Sequence, residues 1–164
     1  MTHHIINLDA VPLEHHTHGE KFEARYGHVA PLVGARQLGA GYHVVPPGKR
    51  AWPFHNHHIN EELFVILAGE GIVRLGEREL PIRAGDVIAA PPGGRDTAHQ
   101  IINTSSAELR YLCISTMVKA EIVEYPDADK IAAYAGKAPG GEDTQPTFYF
   151  RGRLGEATEY WDGE

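Results

Sequence analysis

His55-x-His57, Glu62 and His99 are the residues of this chain best suited to chemistry. Three imidazoles and one carboxylate form a donor set for a single divalent transition metal, in a combination that suits Fe(II), Mn(II), Ni(II), Zn(II) or Cu(II) without selecting among them. Four protein donors around a five- or six-coordinate ion leave one or two positions for water or substrate. Such a site can polarise a bound group as well as brace the fold.

That chemistry requires the chain to bring the four together. On an extended segment His55 and His57 project to the same face, with alpha carbons about 6.5 Å apart, and imidazoles can converge from there on an ion at about 2.0 to 2.2 Å. Glu62 is an odd number of residues further on, so a straight strand would point it away. Residues 58 to 61 must therefore turn, after which Glu62 opens a neighbouring antiparallel strand and faces back. His99 must then arrive from a third strand.

The punctuation fits this demand. The 18 glycines and 11 prolines cut the middle of the chain into short β-branched and apolar runs. Strands are expected over Gly34 to Val45, Glu62 to Leu67, Gly71 to Leu75, Glu79 to Ile82, Val87 to Ala90, His99 to Asn103 and Leu109 to Thr116. Short strands at this spacing read as an antiparallel sandwich or barrel. Gly76-Glu77 is a tight-hairpin signal. Residues 1 to 28 are polar and His-rich and read as an arm with a strand or short turn. Asp127-Ala128-Asp129 is expected to cap one short helix through Ala135, stopped by Gly136, and Lys137 to Gln145 reads as a loop. Phe148-Tyr149-Phe150 and Tyr160-Trp161 are aromatic anchors for the core or for a second subunit.

Composition sets outer bounds. A chain of 164 residues falls in the single-domain range and can bury roughly 70% of its unfolded surface. Cys113 is the only cysteine, so an intramolecular disulfide is impossible and a reducing cytoplasm is the expected location. No apolar run approaches a membrane helix, and Met1-Thr2-His3-His4 lacks the layout of a signal peptide. A formal charge of -7 disfavours nucleic acid and anionic membrane as main partners.

The stretch Gly48 to Gly69 resembles the first motif of the cupin superfamily: a glycine, His-x-His, three or four residues, Glu, six residues, Gly. Gly85 to Asn103 is similar to the second motif, through Gly85, Pro91-x-Gly93, His99 and Asn103. Two departures stand out: one extra residue follows Gly48, and five residues separate Gly93 from His99 where the family pattern has two. The tail Tyr160 to Glu164 also looks like that of small bacterial cupins labelled sugar-phosphate isomerases or oxalate decarboxylases. The resemblance implies an all-β fold, a six- to eight-stranded double-stranded β-helix or jelly-roll barrel with a short C-terminal helix and extended tail. It implies one domain over 1-164, with a core barrel at about 34-118, an N-terminal arm at 1-33 and a tail at 119-164. It further implies one metal (Fe, Mn, Ni or Zn) bound by His55, His57, Glu62 and His99. The motif glycines and Pro91 would be turn formers, and Asn103 would stabilise a loop.

Around the ligands, Glu61, Tyr42 and His43 are candidate acid-base residues, and Arg110 and Tyr111 candidate substrate contacts. Alternation on the last core strand sends Tyr111 and Cys113 to one face and Arg110 and Leu112 to the other; parity does not say which faces in. The same holds for Tyr42 and His43. His58 and His15-His16-x-His18 read as solvated. Three functions remain open: a metal-dependent enzyme on a small polar substrate such as a sugar phosphate, an Fe- or Mn-dependent dioxygenase or decarboxylase, and a non-catalytic small-ligand-binding module. A homodimer is the expected assembly, since short sheets with exposed edges tend to cover them.

Overall fold

The computed structural model describes residues 4–136, 146–156 and 158–164. Thirteen strands carry the described fold: β1 (Glu14–His18), β2 (Phe22–His28), β3 (Leu38–Val45), β4 (Asn56–His57), β5 (Glu62–Ala68), β6 (Glu70–Leu75), β7 (Arg78–Arg83), β8 (Val87–Ala90), β9 (His99–Ile102), β10 (Leu109–Thr116), β11 (Ala120–Tyr125), β12 (Lys130–Ala135) and β13 (Phe148–Arg153). A single four-residue helix, α1 (Ala30–Val33), sits between β2 and β3 and ends on Gly34 in the left-handed region.

Two layers face each other. One is a six-stranded sheet in the order β1-β2-β3-β10-β5-β8. The other is built from β13-β12-β11-β4 and β7-β6-β9, joined by an antiparallel bridge between His55 and His99. The core between them draws Val45, Phe64, Ile66, Leu109 and Tyr111 from the first layer and Val73, Ile82 and Ile101 from the second. This is a jelly-roll sandwich, and its sheets do not close into the expected barrel.

The expected strands from 34 to 116 are present with small shifts in their ends, and Gly76, at φ +57, makes the hairpin between β6 and β7. Two corrections concern the flanks. The N-terminal segment is more than an arm, because β2 pairs with β3 and extends the main sheet. Ile6, Leu8 and Leu13 then cover its outer face, against Val11, Tyr42 and Val44. The short C-terminal helix does not form. Pro126–Ala128 makes only a 3-10 turn, and Lys130–Ala135 is a strand paired on both sides, with β11 and β13. Alternation decides this against the helix propensity of three alanines: Ala132 and Tyr134 are buried while their neighbours are not. The loop expected over residues 137–145 lies outside the described residues.

Candidate metal centre

His55 enters the second layer through its bridge to His99, with His99 N donating to His55 O at 2.8 Å and His55 N returning the bond at 3.2 Å. His57, two residues on, sits in β4. The chain then crosses to the opposite layer: Glu62 opens β5, which pairs with β10 and β8, not with β4. The expected turn at 58–61 is therefore a crossover between layers. Glu62, Phe64 and Ile66 share the inward face of β5, as the strand period requires.

One ligand-capable atom from each of His55, Glu62 and His99 lies within 4.8 Å of the others. His57 adds its Nε2 at 3.5 Å from Glu62 Oε2, and its ring centre lies 5.1 Å from that of His55. His99 Nε2 donates to the same Glu62 oxygen at 2.9 Å. The donor chemistry fits a metal. His55 Nδ1–H donates to Pro53 O at 2.8 Å, which fixes the tautomer and leaves Nε2 with its lone pair. The buried Nδ1 of His99 has no hydrogen-bond partner, and that of His57 meets only Glu121 Oε2, at 3.5 Å. An ion about 2.1 Å from each donor keeps neighbouring donors about 3 to 4 Å apart, within small movements of this arrangement.

Electrostatics favour a neutral His55 beside an ionised carboxylate, whereas at His57 burial is outweighed by the Glu121 contact and the Glu62 charge, which raise it above its ordinary value. Burial, with His99 and His57 beside it, holds His55 down to about 3. Burial alone would raise the Glu62 carboxyl, but the His99 hydrogen bond and three neighbouring imidazoles pull it down to about 2. Cys113 Sγ donates to the other carboxylate oxygen, Oε1, at 3.3 Å. Burial and Glu62 push that thiol well above its ordinary value, so it stays protonated.

Behind His57 stands a residue that no motif announced. Glu121, on β11, has a fully buried side chain. Its Oε1 accepts from the backbone N–H groups of His58, Ile59 and Ile122 at 3.1, 3.0 and 2.8 Å, and its Oε2 from that of Asn60 at 2.6 Å. Glu121 Oε2 also lies 3.5 Å from His57 Nδ1. Burial opposes its charge, yet these bonds hold the carboxyl below its usual range. One carboxylate thus clamps the crossover that delivers Glu62 and backs His57. Its only advance signal was an acidic residue two positions before an apolar one in a β-like run.

The longer segment before His99 is absorbed locally. Arg95–Thr97 forms a 3-10 turn, Gly93 N donates to His57 O at 2.8 Å, and Arg95 reaches Glu124 and Asp129 at 3.4 and 3.0 Å. The extra residues thus lie along β11, and His99 still meets its partners. Asn103, completely buried, donates to Val45 O and Ala107 O at 2.8 and 2.7 Å and accepts from Ser105 N at 2.9 Å.

The centre lies on the wall of a cavity of about 970 Å³. Parity is now resolved: Tyr111, Cys113 and His43 face this cavity, while Arg110 and Tyr42 do not line it. Arg110 pairs with Glu108 at 2.9 Å on the outer face, and Tyr42 is buried there against the N-terminal segment. Glu61 is exposed at the crossover, its N–H donating to Thr116 Oγ1 at 3.1 Å. His43 is stacked between Tyr111 and Tyr26, at 4.8 and 5.8 Å between ring centres. The register places the three side by side on β10, β3 and β2. Trp52 Nε1 donates to His43 Nε2 at 3.0 Å, and burial lowers His43 to about 4. His43 is thus a neutral wall residue whose Nε2 is already engaged. Trp52 and Tyr26, unforeseen as site residues, complete that wall. His58 contacts Glu124 at 3.1 Å, and His15, His16 and His18 are exposed on β1.

Comparison with known proteins bears on the family and the fold. Residues 41–115 match the family described as cupin domain. An uncharacterized protein of Methanocaldococcus jannaschii is 35% identical over 72 residues, and an oxalate-binding protein of Thermotoga maritima 34% over 70. These alignments cover 44% and 43% of this chain and 54% of each relative, so the chain spans about half the length of the curated relatives it matches. Among solved structures, a protein assigned as a sugar phosphate isomerase from Acidithiobacillus ferrooxidans superposes with a TM-score of 0.78 at 22% identity, covering 95% of this chain and 96% of that one. At that identity the likeness concerns the fold alone. The cupin motif residues lie within the matched segment and the two-layer jelly roll is the fold of the solved relative, so residues 41–115 carry a cupin domain.

Proposed function

We propose that the protein is a metal-dependent enzyme acting on a small polar substrate, of the sugar-phosphate isomerase type. The observation that carries this reading is the position of the His55, His57, Glu62 and His99 donor set on the wall of an open cavity of about 970 Å³. A buried brace would be sealed by side chains on every side. A divalent ion held there would supply Lewis acidity toward a carbonyl or a pair of adjacent hydroxyls. The chain's own residues hold and orient: Cys113 and His99 fix the Glu62 carboxylate from its two oxygens, Glu121 backs His57, and the Tyr26, His43, Tyr111 and Trp52 wall presents a rigid aromatic surface to the substrate. The relative assigned as a sugar phosphate isomerase supports the substrate class.

A second reading, binding of a chelating oxyanion without turnover, is favoured by the relative named as an oxalate-binding protein. The same reading places the protein in the cytoplasm as a homodimer. Its single cysteine supports the first point, and the exposed Phe148, Phe150, Tyr160 and Trp161 offer surface for a second copy.

The test is proton exchange followed by NMR in deuterated water, with fructose 6-phosphate and the protein loaded in turn with Mn(II), Fe(II), Ni(II) and Zn(II). The isomerase reading expects deuterium at the carbon next to the carbonyl, lost in His57→Ala and Glu62→Gln. Oxygen uptake instead would replace it with the Fe- or Mn-dependent dioxygenase reading. Tight oxalate binding with neither activity would replace it with the binding module.

A further inference from the structure

The register of the second layer places a cation opposite the candidate metal centre. His57 on β4 pairs with Val123 on β11, Val123 with Ala132 on β12, and Ala132 with Arg151 on β13. Directly opposed residues of antiparallel strands project to the same face, so Arg151 shares the face of His57, three strand spacings or roughly 14 Å away at the backbone. The side chains between them, Val123 and Ala132, are small. A cavity of about 400 Å³ lies over this row, lined by His55, His57 and Glu62 and also by Tyr125, Tyr149 and Arg151.

The neighbouring residues complete a binding surface. The Tyr125 ring lies 6.1 Å from that of His55 at an interplanar angle of 30°, and Lys130 Nζ lies 4.9 Å from the Tyr125 ring centre. The Arg151 guanidinium lies 5.4 Å from the centre of the Tyr149 ring. Among the described residues Asp127 pairs with Arg74, and Asp129 and Glu124 pair with Arg95. Arg151 is, among the described residues, the arginine that lines this cavity, and it makes no ion pair there. A planar guanidinium suits a phosphate or carboxylate bidentately.

We propose that Arg151, with Lys130 beside it, binds the oxyanion terminus of a substrate whose other end faces the centre formed by His55, His57, Glu62 and His99. The inference rests on the proposed function and gives its substrate class a recognition residue. The residue comes from β13, outside the segment matched to the cupin domain, so the specificity belongs to this chain's own C-terminal hairpin.

Three probes with the same 2-hydroxy-carboxylate head separate the two ends: 3-phosphoglycerate, malate and glycerate, ending in phosphate, carboxylate and hydroxyl. Calorimetric titration into Zn(II)-loaded full-length protein should show 3-phosphoglycerate or malate binding about tenfold or more tighter than glycerate. Whichever gains more identifies the terminus. Arg151→Gln should remove most of that advantage and leave glycerate unchanged, while Arg151→Lys should keep part of it. An advantage that is absent, or that survives in Arg151→Gln, overturns the proposal. Retained zinc without Arg151 dependence leaves the metal enzyme standing and removes only the anion site. Arg151-dependent binding to protein that retains no zinc does the reverse.

Discussion

Glu121→Gln keeps the shape of a buried side chain and removes its charge, and the structure says what that does. The carboxylate accepts from four backbone N–H groups, three at one oxygen and one at the other. A glutamine can offer its carbonyl to the first three only by turning its amide toward Asn60 N–H and His57, setting donor against donor. One charge-assisted hydrogen bond contributes about 1.5 to 3 kcal/mol, and the remaining three weaken as the charge goes. We expect a loss of about 3 kcal/mol, which in a domain of this size lowers the unfolding midpoint by about 6 to 12 °C. The assay is circular-dichroism melting with chelator present, so that the crossover clamp is read without metal. Metal affinity, measured separately by competition with a chromogenic chelator, should fall about 10- to 100-fold, as expected for the partner of a ligating histidine. A Glu121→Gln protein that melts within 1 °C of wild type would refute the clamp. One that melts lower yet binds metal equally would refute its role behind His57.

Other expectations follow from buried polar groups. Asn103→Ala removes a fully buried side chain that donates to the carbonyls of Val45 and Ala107 and should cost about 2 to 4 kcal/mol in chemical denaturation; a change under 0.5 kcal/mol would contradict it. His43, depressed to about 4 by burial, takes up its proton later than in the unfolded chain. Its contribution is therefore flat above about pH 7 and erodes as pH falls from about 6.5 to 4, by up to about 3 kcal/mol. His43→Phe should flatten that acid limb in metal-free protein, and an unchanged limb would show that other groups set it.

The legible parts of the sequence were those where one local signal sufficed. Gly76 and the other punctuating glycines and prolines delimited the strands from β3 to β10, and the pleat rule put His55 and His57 on one face. The crossover at 58–61 followed from the parity of Glu62, although the layer it crosses to did not, since β5 pairs only with strands distant in sequence. The choice between Arg110 and Tyr111, or Tyr42 and His43, needed to know which side of the six-stranded sheet the N-terminal segment covers. Glu121 is 59 residues from Glu62 and follows no spacing rule; only the pairing of β11 with β4 brings it to His57. Lys130–Ala135 reads as a helix because its alanines and the preceding acidic residues mimic a capped one, whereas pairing on both edges overrides propensity.

Metal stoichiometry tests the central claim most directly. Protein stripped with chelator and titrated with Zn(II), then with Mn(II), should take up one equivalent per chain, and His57→Ala, Glu62→Gln and His99→Ala should each lose that uptake while remaining folded. Uptake that persists undiminished in all three variants, or wild-type protein that binds neither ion, would contradict the assignment of this centre.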